Sequence, residues 1–218
     1  MKTLFSWGVA ILVPITLTLL GVRILLTPFF PRLVYQMPNI EPDPYGMTHE
    51  ERLRWSDPTM RYLIRDMPLS ALESLRFDDG VPLYNGRELR HLRDVKELAR
   101  RALRWGYAAM GALILLGGLS LYRKEIQVFL RGLRWGGFLT LGLVAALATL
   151  AAMDFWTFFA AFHHLFFEGE TWLFAYSDTL IRLFPIPFWI DVFLFEGIWV
   201  IGGALALAFG LRKKVSGV

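Results

Sequence analysis

The chain has 218 residues, of which 55% are apolar, 15% aromatic and only 19% charged, and that balance excludes an ordinary soluble domain, in which about a quarter of residues carry charge. Its net charge of +4 comes from basic residues scattered along the chain, without the stripe or motif of a nucleic-acid binder, so a DNA- or RNA-binding role has no support. The sequence contains no cysteine, which removes disulfides, thiolate metal sites and thiol nucleophiles.

Crossing a hydrocarbon core of about 30 Å takes roughly 20 apolar residues of helix. Residues 4–27 form the first such stretch. The run exceeds the ~7–15 apolar residues of a secretory signal and no A-x-A-like cleavage site follows, so it reads as an uncleaved anchor. The Pro-rich segment 28–44 resists regular helix and is expected to track along the headgroups. Thr48 and Glu51 have the spacing of a capping box, which predicts a helix start. Asp57-Pro58 resembles a second start, with an acceptor at the N-cap and proline at the first helical position. Asp78-Asp79-Gly80 allows a small hairpin. Asn85 to Glu88 is another capping box, after which Leu89, Leu92, Val95, Leu98 and Leu103 recur at helical spacing with no strong breaker before Tyr122. One long helix is therefore expected, ending in the second span at 105–122. The third and fourth spans are 136–156 and 190–211.

Arg123, Lys124, Arg131 and Arg134 fall in the short loop 123–135, and Arg212, Lys213 and Lys214 follow the fourth span, which puts both groups in the cytoplasm. Segment 157–189 sets Glu168, Glu170 and Asp178 against Arg182 and belongs outside, with 28–104. The predicted fold is thus an all-α membrane protein, one integral membrane domain over 1–218. It has four transmembrane helices, a mostly helical extracytoplasmic segment between helices 1 and 2, and both termini cytoplasmic.

This topology puts all four histidines, His49, His91, His163 and His164, on the outer side. A single surface histidine is usually just solvated, and the Phe and Trp around His163 and His164 also suit an interfacial aromatic belt. His91 has Asp94 at i+3, able to orient its ring or to form an exposed ion pair of little energy. Asp154 lies at the end of a span, where a carboxylate is costly and marks a functional site or a structural contact. Glu196, inside the fourth span, carries the same flag. His164 and Glu168 at i+4 lack a metal-site signature, and no serine-hydrolase, zincin or nucleotide-binding motif occurs. No cofactor or metal is implied.

Two stretches carry a resemblance. One is Tyr84-Asn85-Gly86-Arg87-Glu88-Leu89-Arg90-His91-Leu92-Arg93-Asp94-Val95-Lys96. The other begins at Asp154-Phe155 and continues through Phe162-His163-x-x-Phe166-Phe167 and Trp172 to Asp178, Leu180-Ile181 and Phe184-Pro185. They resemble the bacterial lipoprotein intramolecular transacylase family, four-span membrane proteins whose E-x-x-H-x-x-D-V-[KR] core the first stretch matches. The resemblance implies that His91 and His163 are catalytic and that His49 and His164 are not; beside them Asp94 and Asp154 are expected as supporting carboxylates, and the developing oxyanion needs donors from backbone, Asn85, an arginine or Trp172. It implies diacylglyceryl lipoproteins and membrane lipids as partners, with the sn-2 acyl chain of the modified cysteine moving to that cysteine's own α-amine. Such an amine has a pKa near 8 and must be neutral to attack, while the departing glycerol oxygen needs a proton, so two imidazoles suit the work. The chain departs from the family's common form in its doubled His163-His164, in Pro185-Ile186-Pro187 and in its Pro- and Arg-rich outer segment. A rival reading is a non-catalytic accessory subunit of a larger respiratory or photosynthetic assembly, its aromatic residues packing partner subunits and its histidines ligating a cofactor. A solute channel is weaker, because no span has a sustained polar stripe.

Overall fold

The structure, a computed structural model, describes residues 2–211; Arg212, Lys213 and Lys214 lie outside the described residues. Those described are almost entirely helical: α1 Lys2–Leu25, α2 Phe29–Val34, α3 His49–Ile64, α4 Ser70–Glu73, α5 Gly86–Tyr122, α6 Ile126–Met153, α7 Phe155–Phe166, α8 Thr179–Leu183 and α9 Ile186–Gly210. Four of them, α1, α5, α6 and α9, are long and apolar enough to cross a membrane. The chain divides into two compact units.

Among the described residues, the first unit comprises 2–23, 102–158 and 195–211 and holds the most apolar part of each of the four long helices. Its interior is built on small residues. An added Cβ at Gly132 would lie 2.7 Å from Val9 Cβ, and one at Gly136 would lie 2.5 Å from Val13 Cβ, so this G-x-x-x-G pair lets α6 lie against α1. On a neighbouring face of α6, a Cβ at Gly137 would meet the backbone of Ala204 and Ala208 on α9. Outward-facing Leu115 and Ile198 are 75% and 70% exposed, a surface suited to lipid and not to water. Between α5 and α6, Lys124 takes a left-handed conformation while the N–H groups of Lys124 and Glu125 close back on Leu121 and Ser120, which ends α5 without a glycine.

The second unit comprises residues 24–101 and 159–194. The capping box at Thr48 forms, its Oγ1 accepting from Glu51 N–H at 3.1 Å and Glu51 accepting from Thr48 N–H at 2.7 Å. Two local expectations need correction. The second start at Asp57-Pro58 does not occur: α3 runs through Pro58, with Trp55 and Ser56 buried before the proline and Thr59, Met60, Tyr62 and Leu63 buried after it, and packing on both sides keeps one helix. The Pro-rich segment is not free of helix, since α2 forms with Pro28 as its N-cap and Pro31 in its first turn, where N–H groups have no intrahelical partner to lose. The small hairpin at Asp78-Asp79-Gly80 forms in its shortest version, one antiparallel bridge between Arg76 and Pro82 flanked by Phe77 N–H on the Val81 carbonyl and Leu83 N–H on the Leu75 carbonyl, while the Val81 N–H turns to Asp79. The long helix expected from Asn85 onward is α5, 37 residues without interruption.

Candidate active site

Two helices of the second unit deliver the site. Asn85 caps α5, its Oδ1 accepting from the N–H groups of Arg87 at 2.9 Å and Glu88 at 3.0 Å. Glu88 returns the bond by accepting from Asn85 N–H at 2.7 Å, and its other oxygen accepts from Leu180 N–H, also at 2.7 Å. Only 1% exposed, this carboxyl is raised above the ordinary range by burial and by nearby Asp178, while the backbone N–H donors draw it down again. Asn85 Nδ2 donates to Asp178 at 3.1 Å and Arg87 donates to the Leu173 carbonyl at 3.2 Å. Asn85 and Arg87 therefore hold the loop that follows α7 while Glu88 ties the start of α5 to α8, and that loop carries Trp172 and Phe174.

One turn after Glu88, His91 points into the same interior. On α7, Phe159 and His163 share a face at i and i+4, continued by Phe167 just past the helix end. The imidazoles of His91 and His163 stack with centroids 6.2 Å apart and planes 24° apart. Aromatic rings enclose them: Phe167 is 4.9 Å and Phe174 5.3 Å from His91, and Phe159 is 4.2 Å and Trp172 4.7 Å from His163. Each histidine is 9% exposed.

His163 Nδ1 lies 2.8 Å from the Phe159 carbonyl. A carbonyl can only accept, so Nδ1 bears the proton and Nε2 keeps its lone pair. His91 lies ahead of the apolar stretch of α5, and burial, with a smaller push from His163, lowers its pKa to about 4. Burial also lowers that of His163; its bond to Phe159 raises it in part, and the charge of His164 lowers it further. Two neutral imidazoles therefore face one interior at neutral pH. Two buried polar atoms there, His91 Nδ1 and Trp172 Nε1, have no hydrogen-bond partner, an unmet valence a substrate carbonyl could fill.

The supporting residues fare differently. Asp94 does not orient His91: its carboxylate lies 3.8 Å from Arg93 Nε, and His91 Nδ1 has no bond. Asp154 lies between two helices instead of within one. It is the C-cap of α6 in extended conformation, and its carboxylate accepts from Thr157 N–H at 3.2 Å and Thr157 Oγ1 at 2.6 Å, capping α7. Asn85 has its amide oxygen committed to the cap and one amide N–H to Asp178. His49 packs edge-on to Tyr35 at 6.3 Å, and exposed His164 edge-on to Trp172 at 5.3 Å. Among the described residues no three His, Asp or Glu side chains gather as a metal site. Sequence reasoning passed over Glu88, whose place in the capping box was a signal, and over Phe174, for which there was none.

Comparison with known proteins bears on this geometry. The family model described as lipoprotein intramolecular transacylase Lit matches residues 6–189. A protein of Aquifex aeolicus (strain VF5), described as uncharacterized, is 30% identical over 220 residues, the match covering 100% of this chain and 95% of the relative. The in meso structure of the membrane integral lipoprotein intramolecular transacylase Lit from Bacillus cereus superimposes with a TM-score of 0.78 at 24% identity, covering 99% of this chain and 95% of that one. A variant of the same protein with one histidine replaced by arginine gives a TM-score of 0.71 at 23% identity over 99% and 92% of the two chains. At these identities the structures speak to the fold, and the fold is the same.

Proposed function

The chain belongs to the lipoprotein intramolecular transacylase family, Lit, and from that premise we propose that His91 and His163 are its catalytic pair, moving the sn-2 acyl chain of a diacylglyceryl-cysteine lipoprotein to the cysteine's α-amine. The protein is a multi-pass membrane protein. In this reading the second unit faces the extracytoplasmic side, both termini are cytoplasmic, and the partners are membrane lipids and diacylglyceryl lipoproteins.

The amine and the ester belong to one molecule, so holding the lipid headgroup folded supplies much of the advantage through proximity. His163 Nε2, left unprotonated by the Nδ1 bond to Phe159, takes the proton the amine loses as its nitrogen bonds to the ester carbonyl carbon. The imidazolium then returns that proton to the glycerol oxygen as the ester C–O bond breaks, so the reaction leaves an amide and a free hydroxyl with no net proton change. His91, kept neutral by burial, serves as a hydrogen-bond donor to the carbonyl oxygen as charge develops on it, joined by the unpartnered Trp172 Nε1–H. Asp94 and Asp154 support the site at most through the helices they belong to.

The observation that carries this reading is the stacking of the two imidazoles at 6.2 Å with His163 held by the Phe159 carbonyl. It is tested in a host lacking the activity, by mass spectrometry of lipoprotein N-terminal peptides. Wild type should yield the lyso product, and His91→Ala or His163→Ala should reduce it at least about 100-fold, while Trp172→Phe, which keeps the ring and removes the N–H, should cause an intermediate loss. Undiminished lyso product from both well-folded alanine variants would rule out the pair.

A further inference from the structure

Away from the histidines, the second unit contains a cavity of about 250 Å³ whose lining includes Asp43, Tyr45, Arg52, Tyr176 and Arg182. Arg52 is 6% exposed, yet among the described residues it has no carboxylate partner. Its Nε donates to the Arg182 carbonyl at 3.1 Å and its Nη1 to the Glu41 carbonyl at 2.8 Å, and Nη2 donates to nothing. A guanidinium so far out of water ordinarily has an anion beside it. The one carboxylate at hand is already engaged. Asp43 accepts from Arg182 Nε at 2.9 Å and from Met47 N–H at 2.8 Å, and its side chain is 1% exposed. Arg182 Nη2 reaches only the Tyr45 carbonyl, at 3.3 Å.

Two guanidiniums against one carboxylate leave a single positive charge on a concave wall. At its rim stand Tyr45 and Tyr176, 52% and 77% exposed, phenols of the kind that settle at a membrane's headgroup level. We propose that this cavity is a second binding site, separate from the histidine pair, and that it holds a phosphate monoanion, supplied by the phosphodiester headgroup of a membrane lipid. Arginine's planar fork matches phosphate oxygens, and a phosphodiester carries the one negative charge the cavity lacks. The acyl-transfer substrate has no phosphate, so this site is not a subsite of the proposed reaction. It anchors the second unit to an anionic surface.

The test is native mass spectrometry of the full chain purified in detergent, with phosphatidylglycerol, a diacylglycerol glycoside lacking phosphate, or inorganic phosphate as probe. Wild type should retain one phosphatidylglycerol per chain and none of the glycoside. Arg182→Gln and Tyr176→Glu should each lower that retention at least tenfold. Tyr176→Glu changes an exposed side chain and decides the matter if Arg182→Gln unfolds on thermal melting. Binding of inorganic phosphate without retained lipid would assign the phosphate chemistry to a soluble source and overturn the headgroup assignment. Retention of neither probe, equal retention of the glycoside, or retention unchanged by Tyr176→Glu would overturn the site.

Discussion

His91 ties the stability of the chain to acid. Unfolded, its ring titrates near 6.5; folded, burial holds it at about 4. Between those values the unfolded chain binds a proton that the folded one refuses, so stability rises with pH across the window. The stability that depends on a neutral ring is fully present above pH 6.5 and is lost as the pH falls toward 4, amounting to about 3 kcal/mol at most. His163, lowered in the same direction, adds to the slope. The apparent melting temperature in detergent should therefore fall between pH 7 and pH 4.5 in wild type and fall less in His91→Gln, which cannot take up the proton. Equal slopes in the two proteins would remove His91 as the source. The same imidazoles are the part of the site most legible in the sequence, because each lies in a stretch with family-like spacing around it. Asp94 was not legible in the same way. Spacing at i+3 puts it on the His91 side of α5, but the competing guanidinium of Arg93 is its immediate neighbour, and only the fold decides between them.

At the scale of elements, the capping box of α5 does more than start a helix. Glu88 uses one oxygen for the Asn85 N–H and the other for the Leu180 N–H, so a single buried carboxyl joins the start of α5 to α8, the helix that follows the loop bearing Trp172 and Phe174. Replacing it by alanine leaves the buried Leu180 N–H without an acceptor, costing about 1–3 kcal/mol, and removes the part-buried bond to Asn85 N–H as well. Glu88→Ala should lower the melting temperature and reduce lyso-product formation together, whereas Glu88→Gln, which keeps one acceptor oxygen, should fall between it and wild type. A Glu88→Ala protein as stable as wild type would show that α8 is held by other contacts. Both capping boxes were legible because their chemistry is local, a side chain and a backbone three residues apart. The break at Asp154 was legible in principle for the same reason: Asp154 and Thr157 stand at N-cap spacing ahead of an apolar run. Hydropathy conceals it, since apolar residues continue on both sides. The unbroken passage of α3 through Pro58 was not legible, because it rests on burial against distant segments that no local signal reports.

For the molecule as a whole, the apolar unit depends on contact between backbones more than on the oiliness of its helices, since lipid is as apolar as leucine and offers no hydrophobic drive for one span to leave it for another. What a span gains from a neighbour is close fit, and the fit here runs through glycine. Gly132 and Gly136 lie against Val9 and Val13 of α1, with the Ala10 carbonyl 3.0 Å from where a Gly136 side chain would begin. A larger residue cannot be absorbed by a flexible side chain turning aside, because valine is branched at the Cβ in contact and the carbonyl is main chain. Gly136→Leu should therefore separate α6 from α1, destabilising the unit by at least the 1–3 kcal/mol typical of overpacking. Gly142, on the same helix, has nothing within 4 Å of its added Cβ, and Gly142→Leu introduces equal bulk without a clash. The pair isolates packing from hydrophobicity and from helix propensity, which the two substitutions change alike. Size-exclusion profiles and melting temperatures in one detergent should show Gly136→Leu with a reduced monodisperse fraction and a lower transition, and Gly142→Leu with neither. If both behave like wild type, close α1–α6 contact is not what holds the apolar unit together.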